Sequence, residues 1–132
     1  MEKTAQFKRA LSGAPWAPKV GYCRAICAGN FIAVSGTTSL NETGTIHAAG
    51  DAYAQAKRCL ETIERALIDL GADRRNVIRI RMFVTDITLW QDFGRAHGEF
   101  FADCPPATSM IEIKGLINSA MLIEIEADAV IT

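Results

Sequence analysis

The feature that most restricts the fold of this 132-residue chain is an amphipathic segment at residues 51–70. Apolar side chains recur there at spacings of three and four, which places them in one stripe along a helix. The stripe consists of Ala56, Cys59, Leu60, Ile63, Leu67 and Leu70. Asp51 is a suitable N-cap and Gly71 a suitable stop, so both ends of the helix are defined. Such a helix has to pack its stripe against a second layer.

Strand patterns lie on both sides of this helix. Two apolar runs, at 22–28 and 31–36, are separated by Gly29 and Asn30. This pair favours a tight hairpin turn, because both residues tolerate positive φ. The remaining predicted elements are strands at 77–86, 108–113 and 122–131 and a second helix at about 88–102, ended by Pro105 and Pro106.

The order β-β-α-β-α-β-β predicts an α+β fold, in which two helices cover one face of a mixed sheet. The length fits one domain over residues 1–132, because domains cluster near about 100–150 residues. Gly13, Pro15 and Pro18 interrupt the start of the chain, so we expect an irregular N-terminal arm over residues 1–18.

Opposite charges lie on two of the predicted strands. In 77–86, Arg79 and Arg81 alternate with apolar residues. The residues expected on the buried side of this strand are Ile78, Ile80, Met82 and Val84. In 122–131, one face carries Glu124, Glu126 and Asp128. If the two strands are neighbours, arginine and glutamate pair across them. The charged face is then either solvated or a subunit interface with a pocket.

Composition excludes several classes of protein. The formal net charge is −1, which lacks the basic excess of nucleic-acid binders. No apolar run approaches the roughly 20 residues of a membrane span, and the charged N-terminus does not resemble a signal peptide. Cys23 and Cys27 have no second pair of ligands to complete a zinc site. We expect four reduced thiols and therefore a cytoplasmic protein.

Common catalytic motifs are absent from the sequence, since it contains neither phosphate-binding glycine loop nor a G-x-S-x-G motif. His47 lies in a predicted loop. His97 lies on the apolar side of the second helix, where a packed, hydrogen-bonded histidine is preferred over a general base. The acidic face of 122–131 either holds a metal, supplies a general acid/base, or is a strand face that is solvated or paired with arginine. Pattern alone favours the last interpretation.

Four blocks of the sequence together resemble a known family. The blocks are Tyr22 with 29–36, 81–86, 106–110 and 122–127. They are similar to the RidA/YjgF family, also called the L-PSP endoribonuclease family, over about residues 19–131. The resemblance implies a chorismate-mutase-like fold and a homotrimer whose sheets line a central barrel. Three ligand clefts are then expected between adjacent subunits.

The family's chemistry, as the resemblance implies it, is hydrolysis of enamine or imine intermediates such as 2-aminoacrylate to a 2-keto acid and ammonia. No metal or organic cofactor is expected. By resemblance, Glu124 is the catalytic residue that positions or protonates a water molecule. The substrate-binding residues carried over are Tyr22, Ser35, Gly36, Thr108 and Met110, to which we add Arg81.

In the family pattern, the residue directly after the Pro-Ala pair is an arginine whose guanidinium group makes paired hydrogen bonds to the substrate carboxylate. Thr108 occupies that position here. Losing that contact costs about 1.5–3 kcal/mol of binding. Met110 replaces a cysteine and Gly94 an asparagine. We hypothesise that Arg81, or Arg95 of a neighbouring subunit, substitutes for the missing arginine. The preferred alternative is that Arg81 pairs with Glu124 or Glu126 at the trimer interface.

Three functions therefore stay open at the level of the sequence. The first is an imine or enamine hydrolase that acts at subunit clefts on a small metabolite. The second is a binding or interaction module without catalysis, which the replacement of arginine by Thr108 favours. The third is an endoribonuclease, which the net charge of −1 disfavours.

Overall fold

The computed structural model describes residues 6–132, which form one six-stranded sheet and three helices. The elements in chain order are β1 (Lys8–Ala10), α1 (Ala17–Val20), β2 (Ala25–Ala28), β3 (Phe31–Thr38), α2 (Ala52–Asp69), β4 (Val77–Val84), α3 (Trp90–Phe100), β5 (Ala107–Glu112) and β6 (Ile123–Val130). Single 3-10 turns at Arg74–Asn76 and Ile87–Leu89 lead into β4 and α3.

The strands lie in the order β1-β2-β3-β6-β4-β5. Only β4 and β5 are parallel, and α3 connects them, whereas the other neighbours are antiparallel. The C-terminal strand β6 is therefore central and separates the two halves of the sheet. This mixed sheet confirms the predicted α+β fold, and the tight turn between β2 and β3 confirms the predicted hairpin.

Helix α2 has the predicted stripe and caps. The Asp51 carboxylate accepts a hydrogen bond from the Ala54 amide at 2.9 Å, and Gly71 has φ +88° where the chain leaves the helix. All six residues of the stripe are buried, and the helix packs against β3 and β6. Burying an apolar side chain of this size stabilises the fold by about 1.5–3 kcal/mol, so this layer is a main part of the core.

Gln55, a polar residue in the first turn of α2, is fully buried. The Gln55 amide nitrogen donates to the Ala120 carbonyl at 3.0 Å, and its carbonyl oxygen accepts from the Leu122 amide at 2.9 Å. These bonds satisfy a side chain that would otherwise be costly to bury. They attach the first turn of α2 to the chain just before Glu124, so they fix where β6 begins.

Two expectations about local structure were wrong. Residues 8–10, inside the expected irregular arm, form β1 and pair with β2, while residues 1–5 of that arm lie outside the described residues. Ile78 was expected on the buried side of β4 but is 51% exposed. The register between β4 and β6 shifts between Val77 and Arg79, and such a bulge moves a side chain to the other face.

The face of the sheet opposite the core carries the charged residues that the sequence predicted. Ile111, Phe83 and Glu124 are register partners across β5, β4 and β6, and Arg81 lies beside Glu126. Ile111 is 48% exposed. This face, called the open face below, therefore combines apolar and charged side chains that no other part of the described chain covers.

The described part of the chain has free thiols, no helix that could cross a membrane and no cluster of metal ligands. All four cysteines are unpaired, and burial raises the pKa of the Cys59 thiol, which keeps it protonated. None of the helices within 6–132 is long and apolar enough to span a bilayer. No group of three or more potential metal ligands occurs among these residues.

Candidate functional site

Glu124 is a half-buried carboxyl on the open face, between Thr38 of β3 and Phe83 of β4. Burial raises its pKa, the neighbouring Glu126 charge raises it further, and Arg24 opposes both effects. No hydrogen bond from residues 6–132 contributes to this balance. A carboxyl with a raised pKa and unoccupied oxygens is suited to exchange protons with a ligand or water.

Gly36 allows the Glu124 carboxyl to occupy this position. The register between β3 and β6 shifts between Val34 and Thr37, so β3 bulges towards the carboxyl. A Cβ atom added at Gly36 would lie 2.6 Å from Glu124 Oε2 and 2.7 Å from its Cδ. Any larger residue would displace the carboxyl or the strand. The two residues carried over from the resemblance therefore depend on each other.

Ser35 fixes the other side of the bulge. Its hydroxyl donates to the Cys23 carbonyl at 2.8 Å, and its amide donates to the Arg24 carbonyl at 2.9 Å. These bonds bring the segment after Tyr22 against β3. The Arg24 guanidinium carbon lies 5.8 Å from the centre of the Tyr22 ring. Tyr22, Ser35, Gly36 and Glu124 therefore gather at one end of the sheet.

Arg24 is a residue of this region that the sequence analysis missed. Its side chain is only 8% exposed. One guanidinium nitrogen donates to the Gly36 carbonyl at 2.7 Å and to Thr37 Oγ1 at 2.8 Å, and the other donates to Ser12 Oγ at 3.1 Å. The signal in the sequence is an arginine inside the apolar run 22–28, which implies a buried charge with a structural or binding role.

Thr108 and Met110 lie on the other face of the sheet from Glu124. Their register partners on β4 are Ile80 and Met82, which are buried in the core. Met110 packs against that core. In one chain, the sheet therefore separates both residues from Glu124. A site that uses them together has to take them from two copies of the chain.

The Thr108 hydroxyl lies 2.9 Å from Nε2 of His97. The His97 ring also contacts Phe101, with ring centres 4.9 Å apart, and burial lowers the pKa of the imidazole. His97 is thus a packed, hydrogen-bonded histidine, as predicted. The pair of Thr108 and His97 is uncharged near neutral pH, because lowering the pKa of histidine favours its neutral form.

Both alternative arginines already have partners within the chain. Arg81 pairs with Asp128 at 3.0 Å and with Glu126 at 3.5 Å. The predicted pairing across strands is therefore present, although Asp128 rather than Glu124 is the second partner. The Arg95 guanidinium carbon lies 3.8 Å from the centre of the Tyr53 ring. Their roles in ligand binding stay predictions.

Comparison with known proteins identifies the family and the relatives to which this chain is similar. The family model described as "Endoribonuclease L-PSP" matches residues 12–131. An uncharacterized protein of Streptomyces coelicolor, SCO2049, is 33% identical over 92% of this chain and 90% of its own length. The 3-aminoacrylate deaminase RutC of Acinetobacter baylyi is 31% identical over 85% of this chain and 88% of its own length.

Solved structures agree with the sequence comparison. Rv2704 of Mycobacterium tuberculosis, a member of the YjgF/YER057c/UK114 family, has a TM-score of 0.86 and 37% identity. The alignment covers 96% of this chain and all of that one. The YjgF gene product of E. coli has a TM-score of 0.81 and 29% identity, covering 93% and 98% of the two chains.

Gly36→Ala tests the packing between Gly36 and Glu124. We expect it to lower the free energy of unfolding by about 1–3 kcal/mol, because the methyl group overlaps the carboxyl. The loss should shrink in a Glu124→Ala background, as expected for residues in contact. Urea denaturation followed by circular dichroism measures both effects.

Gly98→Ala is the matched control, because a Cβ atom there meets nothing within 4 Å. It replaces a glycine in the exposed side of α3 and should stabilise the protein by about 0.5–1 kcal/mol. If Gly36→Ala were as stable as the unsubstituted protein, the Glu124 carboxyl would not depend on the absence of a side chain at position 36.

Proposed function

Because this chain belongs to the endoribonuclease L-PSP family, which includes YjgF and RutC proteins, we propose that it hydrolyses an enamine or imine to a carbonyl compound and ammonia. The observation that carries this proposal is Glu124, a half-buried carboxyl with a raised pKa and no hydrogen-bond donor from the described chain. The similarity to a 3-aminoacrylate deaminase supports the reaction class.

The proposed reaction needs one water molecule and one group that both accepts and donates a proton. Water attacks the carbon of the C=N bond, and Glu124 accepts its proton as the new C–O bond forms. An enamine enters this sequence after its N–H proton moves to carbon, which gives the imine. The protonated carboxyl donates its proton to nitrogen, and the product is a carbinolamine. The Glu124 carboxylate then accepts the hydroxyl proton as the C=O bond forms and returns it to nitrogen, which leaves as ammonia when the C–N bond breaks. Its raised pKa suits both steps, because acid/base groups work best when their pKa is near the working pH.

Thr108 limits the substrates we propose. The uncharged pair of Thr108 and His97 donates or accepts hydrogen bonds but does not neutralise a carboxylate. We therefore propose that recognition of the substrate depends less on a carboxylate than it does where an arginine occupies this position. Neutral or bulkier imines become candidate substrates, beside 2-imino acids.

A binding or interaction module without catalysis is the second candidate, and Thr108 is the observation that favours it. Under this alternative, a small ligand raises the melting temperature while no imine is turned over. The net charge of −1 supports neither RNA binding nor RNA cleavage, so the endoribonuclease function ranks last.

A homotrimer with clefts between subunits is part of the proposal. Two observations support it: Thr108 and Glu124 lie on opposite faces of the sheet, and the open face leaves Ile111 and Phe83 partly uncovered. Apolar residues on an uncovered sheet face are typical of a subunit contact. A cytoplasmic location is proposed on the four free thiols.

Glu124→Gln tests the reaction directly. An amino-acid oxidase generates 2-iminopropionate and bulkier 2-imino acids in the assay, and semicarbazide traps what is not hydrolysed. Preformed neutral imines are followed separately through the loss of their C=N absorbance. We expect the protein to reduce the semicarbazone yield and Glu124→Gln to lose at least about a hundredfold in rate, the range of general acid–base catalysis.

The control for that experiment is Glu61→Gln, which removes an exposed carboxyl on α2. Its rate should match that of the unsubstituted protein. Equal rates for Glu124→Gln and Glu61→Gln would contradict the assigned role of Glu124. If no imine is turned over but a ligand still stabilises the protein, the second candidate function replaces the first.

Ile111→Asp tests the assembly. Light scattering coupled to size-exclusion chromatography should give three times the chain mass of 14.3 kDa for the unsubstituted protein. A carboxylate at position 111 should lower this mass, because an unpaired charge is costly inside an interface. Ile68→Asp, at a 60% exposed position of α2, should leave it unchanged. A monomer in all three cases would refute the trimer.

A further inference from the structure

A cavity of about 190 Å³ lies between residues 12–14, the end of β3, residues 40–42 and the side of α2. It is smaller than the roughly 300–1,000 Å³ of sites that take drug-sized ligands, so it suits a small group. The polar side chains that line it include the hydroxyls of Ser12, Thr37, Thr38 and Thr62. These hydroxyls both donate and accept hydrogen bonds.

Three arginines converge on this cavity: Arg24, Arg58 and Arg65. None of the three forms an ion pair within residues 6–132. The arginines that do pair with carboxylates in that range are Arg74, Arg75, Arg81 and Arg95. The positive charge of the cavity is therefore not balanced by an ion pair, in contrast to the charges of these four arginines.

Arg24 makes the imbalance costly. It is the buried member of the three, and its hydrogen bonds go to uncharged oxygens of β3 and Ser12. Those bonds hold the guanidinium in place and partly compensate for lost water. They do not supply a counter-charge. The Arg24 charge opposes the rise in the pKa of Glu124, so that carboxyl is a partial counter-charge, but it lies outside the cavity.

Helix α2 presents the other two arginines in a row. Arg58, Thr62 and Arg65 lie at positions i, i+4 and i+7, which share one face of a helix. The Arg58 Nε donates to the Leu40 carbonyl at 2.9 Å, which fixes its planar group at the rim of the cavity. A planar guanidinium donates two parallel hydrogen bonds to an oxyanion.

The nearby carboxylates do not cancel this charge. Glu42 is the one acidic residue among those that line the cavity, against three arginines. Glu61 and Asp69 line adjoining depressions and lie within 4 Å of none of the three guanidinium groups. Within the cavity, three arginines face one carboxylate beside the hydroxyls of Ser12, Thr38 and Thr62, whereas the Thr37 hydroxyl already donates to the Ser35 carbonyl at 2.8 Å. This lining matches the charge and hydrogen-bonding capacity of a phosphate-sized oxyanion.

We propose that this cavity binds a phosphate-sized oxyanion, either free phosphate or the phosphate group of a small monoester. The guanidinium groups of Arg58 and Arg65 donate hydrogen bonds to the oxygens of this anion, and the Arg24 charge stabilises the anion from the buried side. Glu124 does not line the cavity, but Arg24 joins it to the proposed hydrolase site through the Gly36 carbonyl.

Isothermal titration calorimetry with inorganic phosphate tests the proposal, with chloride used to hold ionic strength constant. We expect saturable binding with one anion per chain and a rise in melting temperature. Arg58→Gln and Arg65→Gln should each weaken binding by about tenfold or more, as expected when a charge-assisted hydrogen bond is lost. Both side chains reach solvent, so the variants should fold.

Arg75→Gln is the matched control, because this arginine is mostly exposed and pairs with Asp73 away from the cavity. It should bind phosphate as the unsubstituted protein does. Methyl phosphate distinguishes the sources: equal or tighter binding indicates a monoester, and weaker binding indicates free phosphate. Absence of saturable binding at millimolar phosphate, or equal weakening by Arg75→Gln, would overturn the proposal.

Discussion

The contact between Gly36 and Glu124 is the constraint on which the candidate site depends. It joins the two central antiparallel strands at the bulge of β3, where no side chain other than hydrogen leaves room for the carboxyl. Arg24 holds the bulge from one side through the Gly36 carbonyl. Gln55 fixes the start of β6 from the other. Packing and buried hydrogen bonds thus place a carboxyl where water is scarce, and this raises its pKa.

The same sheet explains why the proposed site cannot form within a single chain. Alternation along β4, β5 and β6 places Thr108 on the helix side of the sheet, beside His97, and Glu124 on the open face. No rearrangement of side chains brings them together within one subunit. An assembly of several copies resolves this. The fold can therefore be retained while the residues facing Glu124 change, so the substrate can change without a change of fold.

The periodic spacing of apolar residues and the residue types preferred in turns made much of this fold predictable. The stripe of α2, the hairpin at Gly29 and the alternation of β6 depend on local sequence, and each agrees with the sheet that it builds. Ile78 and β1 were mispredicted because a bulge and an edge pairing depend on a neighbouring strand. The resemblance named Glu124 and Gly36, which the structure places in contact, and their roles stay predictions. Arg24 and Gln55 were missed, since their hydrogen-bond partners are distant in sequence.

The central claim is that the fold holds Glu124 as a proton-exchanging carboxyl, and its pKa is the most direct test. Carbon-13 NMR of the glutamate side chains, followed across a pH titration and assigned with Glu124→Gln, measures it in the intact protein. The account predicts that Glu124 titrates above the ordinary value for glutamate. A Glu124 pKa at or below that ordinary value would contradict the account.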